Sequence, residues 1–168
     1  MSIYQIKGPW TGTLSIVSRP RGGDWLEHEI SGWKDAELNA VVSLLTRDEE
    51  TGFELLEERK SSEQQGLRFF SLPIPDLGVP SSRKETLAVL SQIENLLAAG
   101  QNVGIHCRQS VGRSGMIAAS LLVMSGSDPR EAVESVSIDR GLLVPETEEQ
   151  REWVIELARE FEPSVTQG

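Results

Sequence analysis

The sequence predicts an α/β fold in which a central, mainly parallel sheet of four to five strands is flanked by helices. The first observation is that short apolar runs alternate along the chain with longer segments of helical periodicity. Such alternation is typical of parallel strands joined by crossover helices. The second is that the chain has 168 residues and no linker long enough to divide two domains. We therefore expect one domain over residues 1–168, with a frayed tail at 162–168.

Four segments have the length and composition of strands. Thr13–Ser18 alternates and is rich in β-branched residues, whereas Asn39–Leu45 and Asn102–Cys107 are short apolar runs typical of buried strands. The fourth is Leu67–Ile74, and nearby prolines stop it because proline has no N–H to donate to a neighbouring strand.

The helices are predicted from capping patterns and from apolar residues that recur every three to four positions. Asp24 with Glu27 and Ser82 with Glu85 resemble capping boxes, and Asp128 is a candidate N-cap. The predicted helices run from Asp24 to about Ala36, over Phe53–Glu63, from Ser82 to Gly100, over Ser114–Ser125, from Asp128 onward, and over Glu146–Phe161.

Charge and cysteine content narrow the function. There are 16 Lys and Arg against 26 Asp and Glu, a net charge of −10, which disfavours nucleic acid and anionic membranes as partners. The single cysteine cannot form a disulfide within the chain, which favours a reducing compartment. The N-terminus lacks a signal-peptide pattern, and the apolar runs are too short to span a membrane. We expect a cytoplasmic monomer.

The single cysteine lies where a predicted strand meets a predicted helix. In parallel α/β sheets, ligands bind at this edge. The backbone N–H groups after Cys107 and the start of the following helix would form a nest for an anion. Gly112 allows a tight bend there, and Arg113 offers a planar fork suited to phosphate oxygens.

The same positive environment favours the thiolate form of a cysteine, which is the nucleophilic form. A thiolate at the bottom of a phosphate-sized cup predicts transfer of a phosphoryl group onto sulfur. The alternative is an inert, buried structural cysteine, since free cysteines are often buried. That alternative leaves the Cys107–Arg113 spacing and the adjacent His106 and Ser114 unexplained.

The stretch "HCRQSVGRS", from His106 to Ser114, resembles the signature loop of the cysteine-dependent protein tyrosine phosphatase superfamily. That signature is His-Cys, five residues, Arg, then Ser or Thr, and this chain is most similar to the small, dual-specificity-like members. The resemblance implies the phosphatase fold, with Cys107 as nucleophile and Arg113 as phosphate clamp. It also implies that Ser114 hydrogen-bonds the sulfur and that His106 braces the loop. The implied phosphate-binding loop comprises Arg108, Gln109, Ser110, Val111, Gly112 and Arg113.

A leaving oxygen needs a proton, and Asp76 in "LPIPDLGVP" is the best candidate acid. It follows a predicted strand that we expect to neighbour the cysteine strand, and similar phosphatases carry their acid in such a loop. Asp76 is otherwise an ordinary turn aspartate, and Asp48 is then the next candidate. The acid precedes the nucleophile, which excludes the low-molecular-weight tyrosine phosphatases.

Two further sets of residues have open roles. Gln150 is either a glutamine that orients the hydrolytic water, as in related phosphatases, or the partner of Thr147 in a capping box, which we slightly favour. Arg19 and Arg21 are solvated loop residues or else border the pocket and bind a second phosphate or an acidic substrate.

The predicted function is a phosphomonoester hydrolase, of the protein tyrosine or dual-specificity type, that forms a phosphocysteine and needs neither metal nor another cofactor. We favour a phosphoprotein substrate because "RQSVG" lacks the lysine typical of phosphoinositide phosphatases. The alternatives are a phosphatase of phosphoinositides or RNA 5′ phosphates, a catalytically weak module that binds phosphoproteins, and a rhodanese-like sulfurtransferase. The last would need neither the arginine nor a proton donor.

Overall fold

The computed structural model describes residues 1–161, and the predicted tail at 162–168 lies outside the described residues. The described residues form a five-stranded sheet flanked by helices. The strands are β1 (Ile3–Ile6), β2 (Leu14–Val17), β3 (Ala40–Ser43), β4 (Arg68–Ser71) and β5 (Val103–His106). The predicted fold class is confirmed. That residues 1–168 form one domain stays a prediction.

The sheet order is β1-β2-β5-β3-β4. Strands β2, β5, β3 and β4 are parallel, and only β1 runs antiparallel, on β2. The four predicted strands are present, although shorter than predicted, but β1 was missed. In Ile3–Ile6 only Ile6 is buried, so the segment carries a weak apolar signal and depends on its pairing with β2.

The helices follow a short 3₁₀ turn at Gly23–Trp25. They are α1 (Leu26–Asp35), α2 (Arg47–Gly52), α3 (Glu58–Gln64), α4 (Arg83–Ala98), α5 (Gly112–Met124), α6 (Pro129–Arg140) and α7 (Glu148–Ala158). The predicted helix over Phe53–Glu63 is present only from Glu58 onward, as α3, and α2 was not predicted. The chain turns between α2 and α3, with Glu54 at a left-handed φ of 57°, and this turn buries Leu55.

The capping predictions had mixed outcomes. Ser82 accepts a hydrogen bond from the Glu85 N–H, and Asp128 accepts from two N–H groups of α6, as predicted. Asp24 does not cap α1, because it lies inside the 3₁₀ turn that precedes this helix. The last helix ends at Ala158, three residues earlier than predicted.

Two hydrophobic clusters lie on opposite faces of the sheet. The larger joins the sheet to α4, α5, α6 and α7, and the smaller joins it to α1 and the residues around α3. Helix α5 is buried on all sides up to Val123, which is typical of a central helix. Its first residue, Gly112, is buried as well. Among residues 1–161, no helix is both long and apolar enough to cross a membrane.

Candidate active site

Cys107 lies at the carboxyl end of β5, the middle strand of the sheet. It is a free cysteine, and 2% of its surface is exposed. Five positions later α5 begins at Gly112, so the loop between them has the strand–turn–helix geometry that the sequence predicts. Because β5 pairs with β2 on one side and with β3 on the other, the residues that follow these two strands lie next to this loop.

Contacts from distant parts of the chain hold the loop. Ser110 has a left-handed φ of 59°, an unfavourable conformation for a residue with a side chain. Its Oγ donates a hydrogen bond to the Val17 carbonyl at 2.6 Å. The Arg140 Nε donates to the Ser110 carbonyl at 2.8 Å. These two bonds join the loop to β2 and α6 and offset the strain at Ser110.

Gly112 lies in a crowded part of the loop. Its N–H donates to the Glu146 carboxylate at 3.1 Å. A Cβ at this position would lie 2.9 Å from Glu146 Oε1 and 3.0 Å from Gln150 Oε1. The glycine therefore allows the segment before α7 to approach the loop closely, and it brings Glu146 into the site.

Arg113 is buried, with 1% of its side chain exposed. The guanidinium makes a two-pronged ion pair with Glu49, at 2.6 and 2.8 Å, and donates to the Ile74 carbonyl at 2.8 Å. Its Nη2 lies 3.4 Å from Asp76 Oδ1. Such bidentate pairing fixes the plane as well as the position of the cation.

The charges of this cluster stabilise one another. Burial acts to raise the pKa of Glu49, but hydrogen bonds from Arg113 and Thr46 lower it to about 2. Burial acts to lower the pKa of Arg113, but the hydrogen bond to Glu49 and the charges of Cys107, Glu49 and Asp76 raise it above its ordinary value. The arginine is therefore a permanent cation beside the thiol.

Asp76 lies beside both arginines of the loop. Besides its contact with Arg113, Asp76 Oδ2 is 3.5 Å from Nη1 of Arg108, and 44% of the aspartate side chain is exposed. The expectation that its strand neighbours the cysteine strand is wrong, because β3 lies between β4 and β5. Asp76 still arrives at the site because parallel strands end at the same edge. Asp48 is exposed, and the adjacent Glu49 is the residue of α2 that contacts Arg113.

A cavity of about 280 Å³ joins these side chains, and its lining includes Cys107, Arg113, Asp76 and Glu146. A cavity of about 550 Å³ lies beside α6 and the residues that follow it, and one of about 390 Å³ lies between α1 and α3. Neither contains the thiol or the buried arginine. The chemistry of the lining, and not the volume, identifies the small cavity as the site.

A family profile for a phosphatase of the DSP-PTPase type, described as Tc-R-P of polymorphic toxin systems, matches residues 17–127. The chain belongs to this phosphatase family. The match covers the signature loop, Arg113 and Asp76.

Solved phosphatase structures are also similar to this chain. The crystal structure of Tk-PTP in its active form is 31% identical, has a TM-score of 0.73, and covers 94% of this chain and 97% of its own. The kinase associated phosphatase KAP has a TM-score of 0.87 at 19% identity, covering 95% of both chains, which shows the shared fold.

A viral relative matches a shorter region. The tyrosine phosphatase-like protein 067L of Invertebrate iridescent virus 3 is 33% identical over 92 residues, which is 51% of this chain and 38% of that protein. The chain thus spans less than half the length of this viral relative.

The histidine of the phosphatase signature has a partner that the sequence did not reveal. His106 Nε2 lies 2.6 Å from Glu58 Oε2, with both side chains buried, and the imidazole stacks on Trp33. His106 Nδ1 and Glu58 Oε1 have no hydrogen-bond partner among residues 1–161. His106 is therefore joined to α3 by a buried contact, and its expected bracing role stays a prediction.

Two other residues with predicted roles, Ser114 and Gln150, have different hydrogen-bond environments in the structure. Ser114 Oγ is buried and has no hydrogen-bond partner among residues 1–161, so the implied bond to the sulfur is not made in this conformation. Gln150 forms the predicted capping box with Thr147 and donates to the Gly78 carbonyl at 3.0 Å. Its side chain thus connects α7 to the loop that carries Asp76, a structural role beside the site.

Three glutamates of the site were missed by sequence reasoning: Glu49, Glu58 and Glu146. Only Glu49 had a local signal, because it forms a capping box with Thr46 at the start of α2, directly after β3. Among residues 1–161, no group of three or more His, Cys, Asp or Glu side chains could hold a metal ion. That the reaction needs no metal stays a prediction.

Proposed function

We propose that this domain hydrolyses phosphomonoesters of proteins, at tyrosine or with dual specificity, through a phosphocysteine intermediate. One observation carries the proposal: Cys107 and Arg113, from one loop, line the same cavity as the carboxylate of Asp76. A nucleophile, a fixed cation and a proton donor are the three groups that phosphoryl transfer to a thiolate requires.

In the first step, the Cys107 thiolate attacks phosphorus and a sulfur–phosphorus bond forms as the phosphorus–oxygen bond of the ester breaks. Arg113 and the loop N–H groups stabilise the charge on the phosphoryl oxygens. Asp76 gives its proton to the leaving oxygen, which departs as an alcohol or phenol. The phosphoryl group keeps its own charge on passing to sulfur, and the negative charge of the thiolate ends on the Asp76 carboxylate.

In the second step, water attacks the phosphocysteine while Asp76, now a carboxylate, takes a proton from the water. Inorganic phosphate leaves, and the sulfur recovers the bonding electrons as a thiolate. Ser114 Oγ has no other partner among residues 1–161 and is available to donate to that sulfur.

Two carboxylates line the cavity, and Asp76 is the better candidate for the general acid. It lies beside Arg108 and Arg113, and 44% of its side chain is exposed, so its carboxyl group can reach the leaving oxygen of a bound substrate. Glu146 Oε1 instead accepts from the Gly112 N–H, a donor that an incoming phosphate would use. We therefore infer that Glu146 occupies part of the phosphate nest and gives way to substrate.

The domain is proposed to act on phosphoproteins, as a monomer in the cytoplasm, without nucleic acid or membrane as a partner. Its net charge of −10 opposes anionic surfaces. A reducing compartment keeps the thiolate available, since oxidation would remove the nucleophile. A purely sequestering module would not require the nucleophile, the clamp and the acid to share one cavity.

The test is hydrolysis of p-nitrophenyl phosphate by the wild type and by Cys107→Ser, without added metal and again with a chelator. We expect turnover by the wild type, inhibition by vanadate and no turnover by the variant. Activity that survives in Cys107→Ser would exclude the phosphocysteine. Phosphotyrosine and phosphoserine peptides, phosphoinositides and RNA 5′ phosphates, offered in the same assay, then identify the substrate class.

A further inference from the structure

Two arginines meet at the rim of the cavity. Arg19, in the loop after β2, donates from Nη1 to the carbonyl of Arg108 at 3.3 Å. Its guanidinium carbon lies 3.5 Å from the centroid of the Phe53 ring. The guanidinium of Arg108 lies 5.9 Å from the same centroid and is itself part of the cavity lining. Phe53 therefore brings two cations together next to the phosphate nest.

No carboxylate pairs with Arg19 within residues 1–161. The nearby Glu49 is held by Arg113, and Asp76 contacts Arg108 and Arg113. Burial and the neighbouring Arg108 lower the pKa of Arg19, while Glu49 and Cys107 act in the opposite direction. Two like charges kept close cost free energy, which an added anion would recover.

Arg21, two positions further on, gives the contrast. It also lies over an aromatic ring, 4.1 Å from the Trp25 centroid, but it is paired with the Glu29 carboxylate. The same loop therefore carries one arginine whose charge is neutralised within the fold and one whose charge is not.

We propose that Arg19 and Arg108, held on Phe53, form a second anion subsite that binds an acidic group next to the scissile phosphate of the substrate. This inference rests on the proposed function and deepens it. The expected substrate is a phosphoprotein segment with an aspartate, glutamate or second phosphate adjacent to the phosphorylated residue. A guanidinium fork matches a carboxylate or a phosphate alike.

A protein segment is favoured over a membrane lipid by the charge of the rest of the molecule. With a net charge of −10, the chain would be repelled by the anionic surface in which a phosphoinositide sits. A peptide brings its acidic group to the rim without such a surface. Soluble inositol phosphates with one or two phosphates test the alternative, that the subsite binds the headgroup of a phosphoinositide.

The experiment compares two phosphotyrosine peptides that differ only in their flanking residues, Glu on both sides in one and Gln in the other. The measured quantity is the ratio of their kcat/KM values. For the wild type, we expect a preference of roughly 3–10-fold for the acidic peptide, the size of a half-exposed charge contact, which decreases with added salt. In Arg19→Gln the ratio should fall close to one.

The matched control is Arg21→Gln, which removes the neighbouring arginine whose charge is already neutralised. It should keep the wild-type preference. Thermal unfolding of each variant shows whether the fold is retained, and Arg19→Lys keeps the charge should Arg19→Gln fail to fold. An unchanged preference in a folded Arg19→Gln, or an equal loss in Arg21→Gln, would overturn the subsite.

A binding measurement separates this inference from the proposed function. Fluorescence anisotropy of both peptides on Cys107→Ser, with and without Arg19→Gln, gives the same ratio as dissociation constants. If the wild type hydrolyses nothing but Cys107→Ser prefers the acidic peptide through Arg19, the proposed function fails and the subsite stands. If turnover occurs but neither ratio depends on Arg19, the subsite fails alone. A larger dependence on Arg19 for inositol bisphosphate than for the acidic peptide would overturn the phosphoprotein assignment.

Discussion

Arg113 and Arg19 are the same type of side chain in two contrasting environments of one site. Arg113 is 1% exposed and is held by the Glu49 carboxylate, a backbone carbonyl and Asp76. Arg19 is half-buried, rests on an aromatic ring, and has only a carbonyl as a hydrogen-bond partner among residues 1–161. The guanidinium of Arg113 is thus held by several partners, whereas that of Arg19 remains partly exposed to solvent.

The difference in burial and pairing suggests separate roles for the two arginines in the proposed reaction. A pre-oriented cation costs no reorganisation when charge develops on a transferring phosphoryl group, so burial and pairing suit Arg113 to the reaction itself. A half-exposed cation adapts to different partners but is screened by water and salt, so Arg19 suits recognition. The following variants test this contrast, in order of decreasing expected effect.

Arg113→Lys should lower kcat for p-nitrophenyl phosphate by roughly 10³–10⁵-fold, the range for losing an arginine that stabilises phosphoryl transfer. An ammonium group carries the charge but cannot pair with Glu49 and two phosphate oxygens in one plane. Steady-state kinetics measure the loss, and Arg21→Lys is the control for the substitution as such. Near-normal turnover in Arg113→Lys would mean that the fixed plane of the guanidinium is unimportant.

Asp76→Asn tests the acid that both loop arginines contact. The loss should reach roughly 10²–10⁴-fold on a phosphotyrosine peptide, and it should be smaller on p-nitrophenyl phosphate, whose leaving group needs little protonation. The basic limb of the pH–rate profile should flatten. Glu146→Gln is the matched variant, and it should not show this dependence on the leaving group. The reverse pattern would transfer the acid role to Glu146.

Glu49→Gln removes the carboxylate that orients Arg113. The guanidinium keeps its carbonyl contacts but loses its fixed plane, so kcat should fall by up to roughly 10²-fold, the effect of a small misplacement. Since Asp48 is exposed and next to it, Asp48→Asn is the control for a lost charge at this position. An equal loss in both variants would point to the net charge of α2 and not to the ion pair.

The same variant should change the acid stability of the fold. The pKa of Glu49 is lowered from 4.5 to about 2, so its ionised form stabilises the fold above the usual pKa. That contribution is lost as pH falls from about 4.5 towards 2. Denaturant unfolding across this range should show a smaller loss of unfolding free energy in Glu49→Gln than in the wild type. Parallel curves would contradict the depressed pKa.

Arg19→Lys should have the smallest effect. A half-exposed subsite uses mainly the positive charge, so Arg19→Lys should lower the preference for an acidic peptide by less than about twofold and keep most of what Arg19→Gln loses. The measurement is the ratio of kcat/KM values for the acidic and neutral peptides. A preference that falls close to one, as expected for Arg19→Gln, would mean that the positive charge alone does not account for recognition by Arg19.

The sequence predicted those parts of the site that lie close together along the chain. The loop from Cys107 to Gly112, the helix after it and the capping box of Thr147 with Gln150 are local patterns, and all are present. Asp76 was found for a partly wrong reason, since its strand does not neighbour β5. The prediction of its position succeeded because the ends of parallel strands share one edge, whatever their order.

The sequence alone was enough to select the candidate reacting groups and to place them after strand ends, because spacing and local propensity act over a few residues. Only the tertiary structure decided their partners: Glu49 for Arg113, Glu58 for His106, Glu146 for Gly112. These contacts join residues 34 to 64 positions apart. Strand order and helix packing create them, and no local pattern distinguishes these three glutamates from the solvated carboxylates of an acidic chain.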